Sequence, residues 1–156
     1  NIDYKIKELK KLKDNKTINE IINTASDNSP IVENINIYYN RSIENTRGYH
    51  LDTYQEKFKA FIYLTDVNDS SFGPYSYIKG SQAPNKLQEY LRKCLNKFIL
   101  RNKITDAIKV KKEYEMKCLG EKGTLIISNQ TGYHRGWPQQ KGKERMLISI
   151  SFRDIS

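Results

Sequence analysis

The sequence predicts a mainly β domain with flanking helices, an α+β chain whose core is a jelly roll, the double-stranded β-helix of cupin-like proteins. Helical periodicity is confined to residues 1–30 and to about residues 84–102, strand patterns occupy most of the remainder, and all 8 glycines lie at or beyond Gly48. The 156 residues are enough for one domain. We therefore expect a single domain over 1–156, whose helical flank precedes a jelly-roll core over 31–156 that carries a helical insertion.

The N-terminal flank carries two helical patterns. The first covers residues 3–14, where leucines and an isoleucine recur among lysines to give one narrow apolar face. The second is predicted to begin at Thr17, because Thr17 and Glu20 have the spacing of a capping box. Its predicted buried residues are Ile18, Ile21 and Ile22.

Alternating polarity predicts strands after residue 30. In the first of them Ile35, Ile37 and Tyr39 alternate with Asn34, Asn36 and Tyr38. Further strands are predicted over 47–54, 58–67, 75–79, 113–119, 123–129 and 145–152. The insertion has apolar residues at three- and four-residue steps and is predicted to pack on the outside of the sheet. These residues are Leu87, Leu91, Cys94, Leu95, Phe98 and Ile99.

The bulk composition is that of a soluble globular protein, with 37% hydrophobic and 29% charged residues. No apolar run approaches the roughly 18 residues of a membrane span, and no signal peptide is recognisable. Cys94 and Cys118 lie far apart in apolar patterns, which is typical of reduced cysteine. We therefore expect a cytoplasmic protein without membrane contact. The oligomeric state is not predicted.

The net charge of +9 raises the alternative of a basic nucleic-acid-binding domain. However, the basic residues are spread along the chain with acids among them, and no stripe of interleaved arginines and aromatics occurs. Nucleic-acid binding is therefore the weaker interpretation of this charge.

The two histidines and one aspartate suggest a metal site. His50 and Asp52 are two residues apart in a strand-like stretch, so their side chains point to the same face. His134 is the only other histidine. Two imidazoles and one carboxylate form the facial triad that leaves positions open on Fe(II). His-x-Asp is also common by chance, and a strand-edge histidine beside a solvated aspartate is the structural alternative.

Together with their neighbours, these residues resemble the phytanoyl-CoA dioxygenase-like branch of the Fe(II)/2-oxoglutarate-dependent oxygenases. Five segments agree with that family in order and spacing between about residues 47 and 152. They are His50-Leu51-Asp52, the strand from Lys59 to Val67 with Phe61 and Asp66, Gly73-Pro74 leading to Gly80-Ser81, Gly123-Thr124, and His134 with Arg145 eleven residues later.

The resemblance implies a hydroxylase that uses O2 and 2-oxoglutarate to oxidise an unactivated C–H bond of a small-molecule substrate, with release of succinate and CO2. It implies that His50, Asp52 and His134 hold Fe(II) and that Arg145 pairs with the distal carboxylate of 2-oxoglutarate. A guanidinium suits that role because it offers a carboxylate two parallel donors and does not lose its proton. Alone, an arginine at the start of a strand is more often an exposed end.

Several further residues are candidates for the cosubstrate pocket. The Tyr38 hydroxyl is a second donor to the cosubstrate, or part of a solvent-facing strand. Lys59 and Phe61 share a strand face and close the pocket, or Phe61 is plain core. Tyr133 and Trp137 flank the distal histidine, where they contact substrate or pack the loop.

A non-catalytic jelly-roll binding module is the alternative from another functional class, since a fold does not fix a function. The joint presence of His50, Asp52, His134 and Arg145 argues against it, because a decayed copy would have lost at least one of them.

Overall fold

A computed structural model describes residues 7–26, 28–83, 85–98 and 111–154. Its helices are α1 (Lys7–Lys13), α2 (Lys16–Ala25), α3 (Lys86–Phe98) and a 3-10 turn at Lys112–Tyr114. Its strands are β1 (Ile31–Arg41), β2 (Phe58–Tyr63), β3 (Tyr75–Ile78), β4 (Glu115–Cys118), β5 (Leu125–Asn129), β6 (His134–Gly136) and β7 (Glu144–Arg153). Residues 3–6 of the first predicted helix and 99–102 of the predicted insertion lie outside the described residues. No helix in the described ranges is long and apolar enough to cross a membrane.

The strands of the described residues form two antiparallel sheets. The first has four strands in the order β1-β7-β2-β5, and the second has three in the order β4-β3-β6. An isolated bridge between His50 and His134 adds one further segment beside β6. The predicted mainly β architecture with antiparallel sheets is confirmed.

The two faces of the four-stranded sheet have different partners. Its outer face carries the hydrophobic core, in which α1 and α2 cover the sheet. The buried residues of this core are Leu9, Ile18, Ile22, Ile35, Phe58, Ala60, Ile148, Ile150 and Phe152. The inner face meets the second sheet, since the Phe61 and Tyr75 rings lie 4.7 Å apart and the Tyr75 hydroxyl lies 2.7 Å from Ser128 Oγ. Period-2 alternation along β2 and β7 therefore separates the core from the space between the sheets.

The predicted strand over 47–54 is wrong. His50 exchanges two backbone hydrogen bonds with His134, but the Asp52 amide then donates to the Gln130 carbonyl at 3.3 Å, so the segment leaves the register of β6. The predicted strand over 58–67 ends at Tyr63. The three-residue strand β6 was not predicted, because its sequence is too short to show alternation.

Two predictions about the helices are also corrected. The side chain of Asn15, not of Thr17, caps α2 by accepting a hydrogen bond from the Ile18 amide at 3.0 Å. Ile21 is exposed, whereas Ile18 and Ile22 are buried as predicted. Both cysteines are free.

The predicted packing of the α3 apolar face on the sheet is wrong for the described residues. Leu87, Leu91 and Leu95 are 66%, 54% and 47% exposed. The Arg92 guanidinium instead holds the helix against the segments after β3 and before β6, by donating to the Ser81 and Thr131 carbonyls at 2.8 and 3.1 Å. This anchor turns a polar face of α3 towards the body of the protein.

We predict that Asn15→Ala lowers the free energy of unfolding by about 1 kcal/mol, the usual cost of losing an N-cap side chain. Thr17→Ala, in the first turn of the same helix, should change it by less than about 0.5 kcal/mol. Urea unfolding followed by circular dichroism measures both variants. A larger loss in Thr17→Ala than in Asn15→Ala would contradict the observed cap.

Candidate metal centre

Two chain segments bring the three predicted ligands together. The His50 and His134 amides each donate to the other's carbonyl at 3.0 Å, which places the imidazoles side by side. Their ring centroids lie 4.7 Å apart. Asp52 follows on the same side as His50, and the potential ligand atoms of the three residues all lie within 4.8 Å of one another. The cluster can therefore surround one metal ion.

Both imidazoles are oriented by the backbone of their own segments. Nδ1 of His50 lies 2.8 Å from the Gly48 carbonyl, and Nδ1 of His134 lies 2.9 Å from the Gly132 carbonyl. A carbonyl only accepts, so each neutral ring carries its proton on Nδ1 and a lone pair on Nε2. The chain builds this arrangement twice from the same tripeptide, Gly-Tyr-His, at 48–50 and at 132–134.

The free side of each ring faces the carboxylate. Nε2 of His50 lies 3.5 Å from Asp52 Oδ1, and Nε2 of His134 lies 3.6 Å from the same oxygen. A proton on Nε2 of either ring would be donated to this carboxylate, and hydrogen bonding to His134 and His50, and then to Lys59, outweighs burial and holds the pKa of Asp52 far below its usual range. In the neutral rings the proton is on Nδ1 instead, and three acceptors then converge without a proton between them. Such a set can bind a cation, and two nitrogens with one oxygen suit a first-row divalent metal.

Lys59 holds the second oxygen of the same carboxylate. Its ammonium lies 2.5 Å from Asp52 Oδ2, while Oδ1 faces the imidazoles. The sequence suggested Lys59 as a wall of a cosubstrate pocket, and the structure shows that its charge is engaged by Asp52. This ion pair fixes the carboxylate so that one oxygen is available to a metal.

One cavity of about 360 Å³ contains the cluster. Its described lining residues are Tyr38, Asn40, His50, Asp52, Lys59, Phe61, Tyr75, Gln130, His134, Gly136, Arg145, Leu147 and Ser149. Seven of the residues that the sequence nominated, the three predicted ligands with Tyr38, Lys59, Phe61 and Arg145, thus line one space.

Arg145 is a half-buried cation in the wall of this cavity. Its guanidinium donates to the Gly73 carbonyl and, at 3.4 Å, to Asn40 Oδ1. Its Nε is buried without a hydrogen-bond partner among the described residues, none of whose acids forms an ion pair with it. Burial lowers the pKa of Arg145, but a guanidinium stays protonated. The site therefore offers an unneutralised positive charge to an anion.

The aromatic and asparagine side chains near the predicted site differ in where they lie. Tyr38 reaches the cavity from the edge strand β1 and is 49% exposed. Asn34 and Asn36 hydrogen-bond to each other at 2.9 Å. Neither Tyr133 nor Trp137 is among the described lining residues. The Trp137 ring instead lies 3.7 Å below the Lys117 ammonium.

Sequence reasoning missed a buried polar network beside the histidines. The Tyr75 ring stacks on His134 with centroids 5.6 Å apart, and burial raises the pKa of its hydroxyl. Gln130 is fully buried and donates to Ser128 Oγ at 3.1 Å, while its Oε1 has no partner among the described residues. The inward position of Ser128 in an otherwise apolar strand was the available signal.

No family model and no curated protein matches the sequence, but the fold is similar to solved structures. The apo form of the non-haem monooxygenase ThoJ superposes with a TM-score of 0.67 at 14% identity, over 94% of this chain and 55% of that chain. HygX from Streptomyces hygroscopicus, with nickel and 2-oxoglutarate bound, gives 0.64 at 13% identity, over 93% and 66%. AviO1 from Streptomyces viridochromogenes Tue57 gives 0.65 at 13%, over 96% and 62%.

These likenesses show that the chain shares its fold with these structures, one of which is a non-haem monooxygenase. The chain spans between about half and two thirds of the length of these three structures.

We predict that His50→Ala, Asp52→Ala and His134→Ala each weaken Mn(II) binding by more than the roughly 10–100-fold that loss of an outer-shell partner costs. Two remaining ligands do not define a facial site. Calorimetric titration measures the affinity, with Asp69→Ala as the control aspartate outside the cavity. Wild-type affinity in any of the three variants would remove that residue from the site, and a collapsed circular dichroism spectrum would make it structural.

We also predict that Lys59→Met weakens Mn(II) binding about 10-fold or more, because the carboxylate loses the partner that orients it. Lys57 offers a matched control, since its ammonium pairs with Glu33 at 2.7 Å and it does not line the cavity. Lys57→Met should bind the metal like the wild type, and Lys59→Arg should retain most of the affinity. Equal affinities in the two methionine variants would mean that Lys59 does not position Asp52.

Proposed function

We propose that this protein is an Fe(II)- and 2-oxoglutarate-dependent oxygenase that hydroxylates an unactivated C–H bond of a small-molecule substrate. One observation carries the proposal. A single cavity contains three converging acceptors that could hold a metal ion and, in Arg145, a half-buried guanidinium without an anionic partner among the described residues. A chelating keto acid with a distal carboxylate satisfies both when it binds the metal at one end and the guanidinium at the other.

The finer fold assignment belongs to the same proposal. When the bridge at His50 is counted as a strand, each sheet has four strands, in the orders β1-β7-β2-β5 and β4-β3-β6-His50. Two facing four-stranded antiparallel sheets are the arrangement of a jelly roll. This order supports the double-stranded β-helix, and it agrees with the resemblance to the phytanoyl-CoA dioxygenase-like branch.

The metal ligands would be His50 and His134 through Nε2 and Asp52 through Oδ1. When bound, Fe(II) supplies the activation of O2 that is coupled to conversion of 2-oxoglutarate into succinate and CO2. The protein contributes the geometry, since a facial set of three ligands leaves room for the cosubstrate and O2. Lys59 keeps Asp52 ionised and aimed at the metal position.

The remaining wall residues would hold the cosubstrate. Arg145 pairs with its distal carboxylate, and the Tyr38 hydroxyl adds a second donor from the cavity mouth. Phe61 and Leu147 form the apolar part of the wall and limit access of water to the reacting groups. The Tyr75 hydroxyl remains protonated beside His134 and is held by Ser128 Oγ at 2.7 Å.

One structural neighbour, HygX, supports the choice of ligands. HygX has been crystallised with iron, with nickel and 2-oxoglutarate, and with nickel, 2-oxoglutarate and hygromycin B. A metal, a keto acid and a small polar molecule therefore fit into one protein of this fold. We extend the metal and the keto acid to this chain because its cavity offers a charge for each.

The function is tested by adding 2-oxoglutarate to the Fe(II)-loaded protein without oxygen. We expect a charge-transfer absorption band in the visible range that needs both components and is absent from His134→Ala. Succinate formation after oxygen is admitted is the second readout. Absence of the band in a protein that binds Fe(II) would exclude chelation of the keto acid by the metal.

We predict that Arg145→Ala keeps metal affinity and loses 2-oxoglutarate affinity by about 2–5 kcal/mol, the cost of leaving one partner of a buried charge pair alone. Arg145→Lys should recover part of the loss, because an ammonium does not reproduce the planar two-point contact. Calorimetry on the Mn(II)-loaded protein without oxygen measures both.

Arg135→Ala is the matched control, since Arg135 adjoins His134 but donates to Thr46 at 2.7 Å and does not line the cavity. Wild-type affinity in Arg145→Ala would reject the anchor.

A further inference from the structure

Two more cavities adjoin the metal centre on the side of Asp52 that faces α3. The smaller, about 270 Å³, is lined by Leu51, Asp52, Thr53, Tyr54, Gln55 and Lys93. The larger, about 760 Å³, lies between the loop at 53–57 and α3, and we call it the α3 cleft. Thr53, Tyr54, Gln55 and Lys93 line both. Asp52 lines both the smaller cavity and the metal cavity, so the three spaces follow one another along one loop.

Helix α3 turns polar side chains towards the α3 cleft. The helix presents a polar face to the cleft, at the i, i+3, i+4 and i+7 positions of one helical stripe. This face consists of Lys86, Glu89, Tyr90 and Lys93. An amphipathic helix normally buries its apolar stripe, yet here Leu87, Leu91 and Leu95 are exposed. The helix therefore offers hydrogen-bonding groups to whatever occupies the cleft.

The side chains that line the rest of the α3 cleft are also mostly polar or charged. Among the described residues that line the cleft and the smaller cavity, Leu51 and Ala83 are the only aliphatic ones. Two carboxylates of the α3 cleft have neutral partners, since Glu56 accepts from Ser26 Oγ at 2.8 Å and Asp154 accepts from the Asn28 side-chain amide at 3.1 Å. The cleft thus contains both donors and acceptors. Hydroxyl groups, which donate and accept, match such a lining.

We propose that the α3 cleft is the substrate subsite of the enzyme and that its substrate is hydroxyl-rich, of the size and chemistry of an oligosaccharide, with the reacting carbon directed past Asp52 to the metal. The assignment rests on the proposed oxygenase function for the role of the metal. A fatty acyl chain is disfavoured, because Leu51 and Ala83 are the only aliphatic side chains among the described lining residues that could pack against its methylene groups.

The test uses ligand proton relaxation on the Mn(II)-loaded protein, with Zn(II)-loaded protein as the diamagnetic reference and 2-oxoglutarate present. The two probes are maltotriose and 1-octanol. We expect selective broadening of maltotriose protons in the Mn(II) form and none of the octanol chain. Broadening of octanol without maltotriose, or of neither probe, would overturn the assignment.

A matched pair of variants locates the subsite. Gln55 lines both cavities, whereas Gln88 is exposed on α3 and lines neither. Gln55→Leu should weaken maltotriose binding about five-fold, the effect of one hydrogen bond, and Gln88→Leu should leave it unchanged. Lys93→Met with Lys97→Met as its control is the second pair if Gln55→Leu does not fold. Equal losses in a variant and its control would place the binding elsewhere.

This result is independent of the test of the proposed function. Mn(II) and 2-oxoglutarate affinities are measured by calorimetry on the same samples. Normal affinities with no probe binding reject the cleft alone, while absent metal or cosubstrate binding rejects the oxygenase.

Discussion

The site depends on the reciprocal pair of backbone hydrogen bonds between His50 and His134. These residues are far apart in sequence, and the bridge brings their rings side by side without any side-chain contact being needed. Each ring is then rotated by the carbonyl two residues before it, from Gly48 or Gly132. The direction of both lone pairs is thus set by the main chain. Asp52 meets them because its segment turns from β6 towards Gln130.

Local patterns predicted which side chains converge better than they predicted the element that carries them. His50 and Asp52 share a face as their two-residue spacing required, although the stretch over 47–54 makes only an isolated bridge. The spacing argument survives because it needs an extended backbone and no continuous ladder. In β7 the element itself was predicted well, because the strand predicted over 145–152 agrees with the observed Glu144–Arg153 to within one residue at each end.

The parts that sequence did not predict depend on side-chain partners that are distant along the chain. Lys59 and Arg145 are both cations on the inner face of the first sheet, and nothing local distinguishes them. In the folded protein Asp52 engages Lys59, whereas Arg145 meets only neutral acceptors among the described residues. α3 is similar, because its apolar stripe predicted burial on the sheet and the Arg92 anchor gave it another orientation. A helical stripe predicts a face but not which partner it meets.

A site of this kind is unfavourable for the protein that contains it. Converging acceptors repel, and a guanidinium in a partly buried wall loses hydration without gaining a counter-ion. The strands that carry these groups also carry core residues on their opposite face, which stabilise the fold. In β7, Arg145 and Ser149 point inward while Ile148 and Ile150 point into the core under α1 and α2. In β2, Lys59 and Phe61 alternate with Phe58 and Ala60 in the same way. Because the outer face is buried independently of the cavity, the inner face can carry charged side chains without disturbing the core.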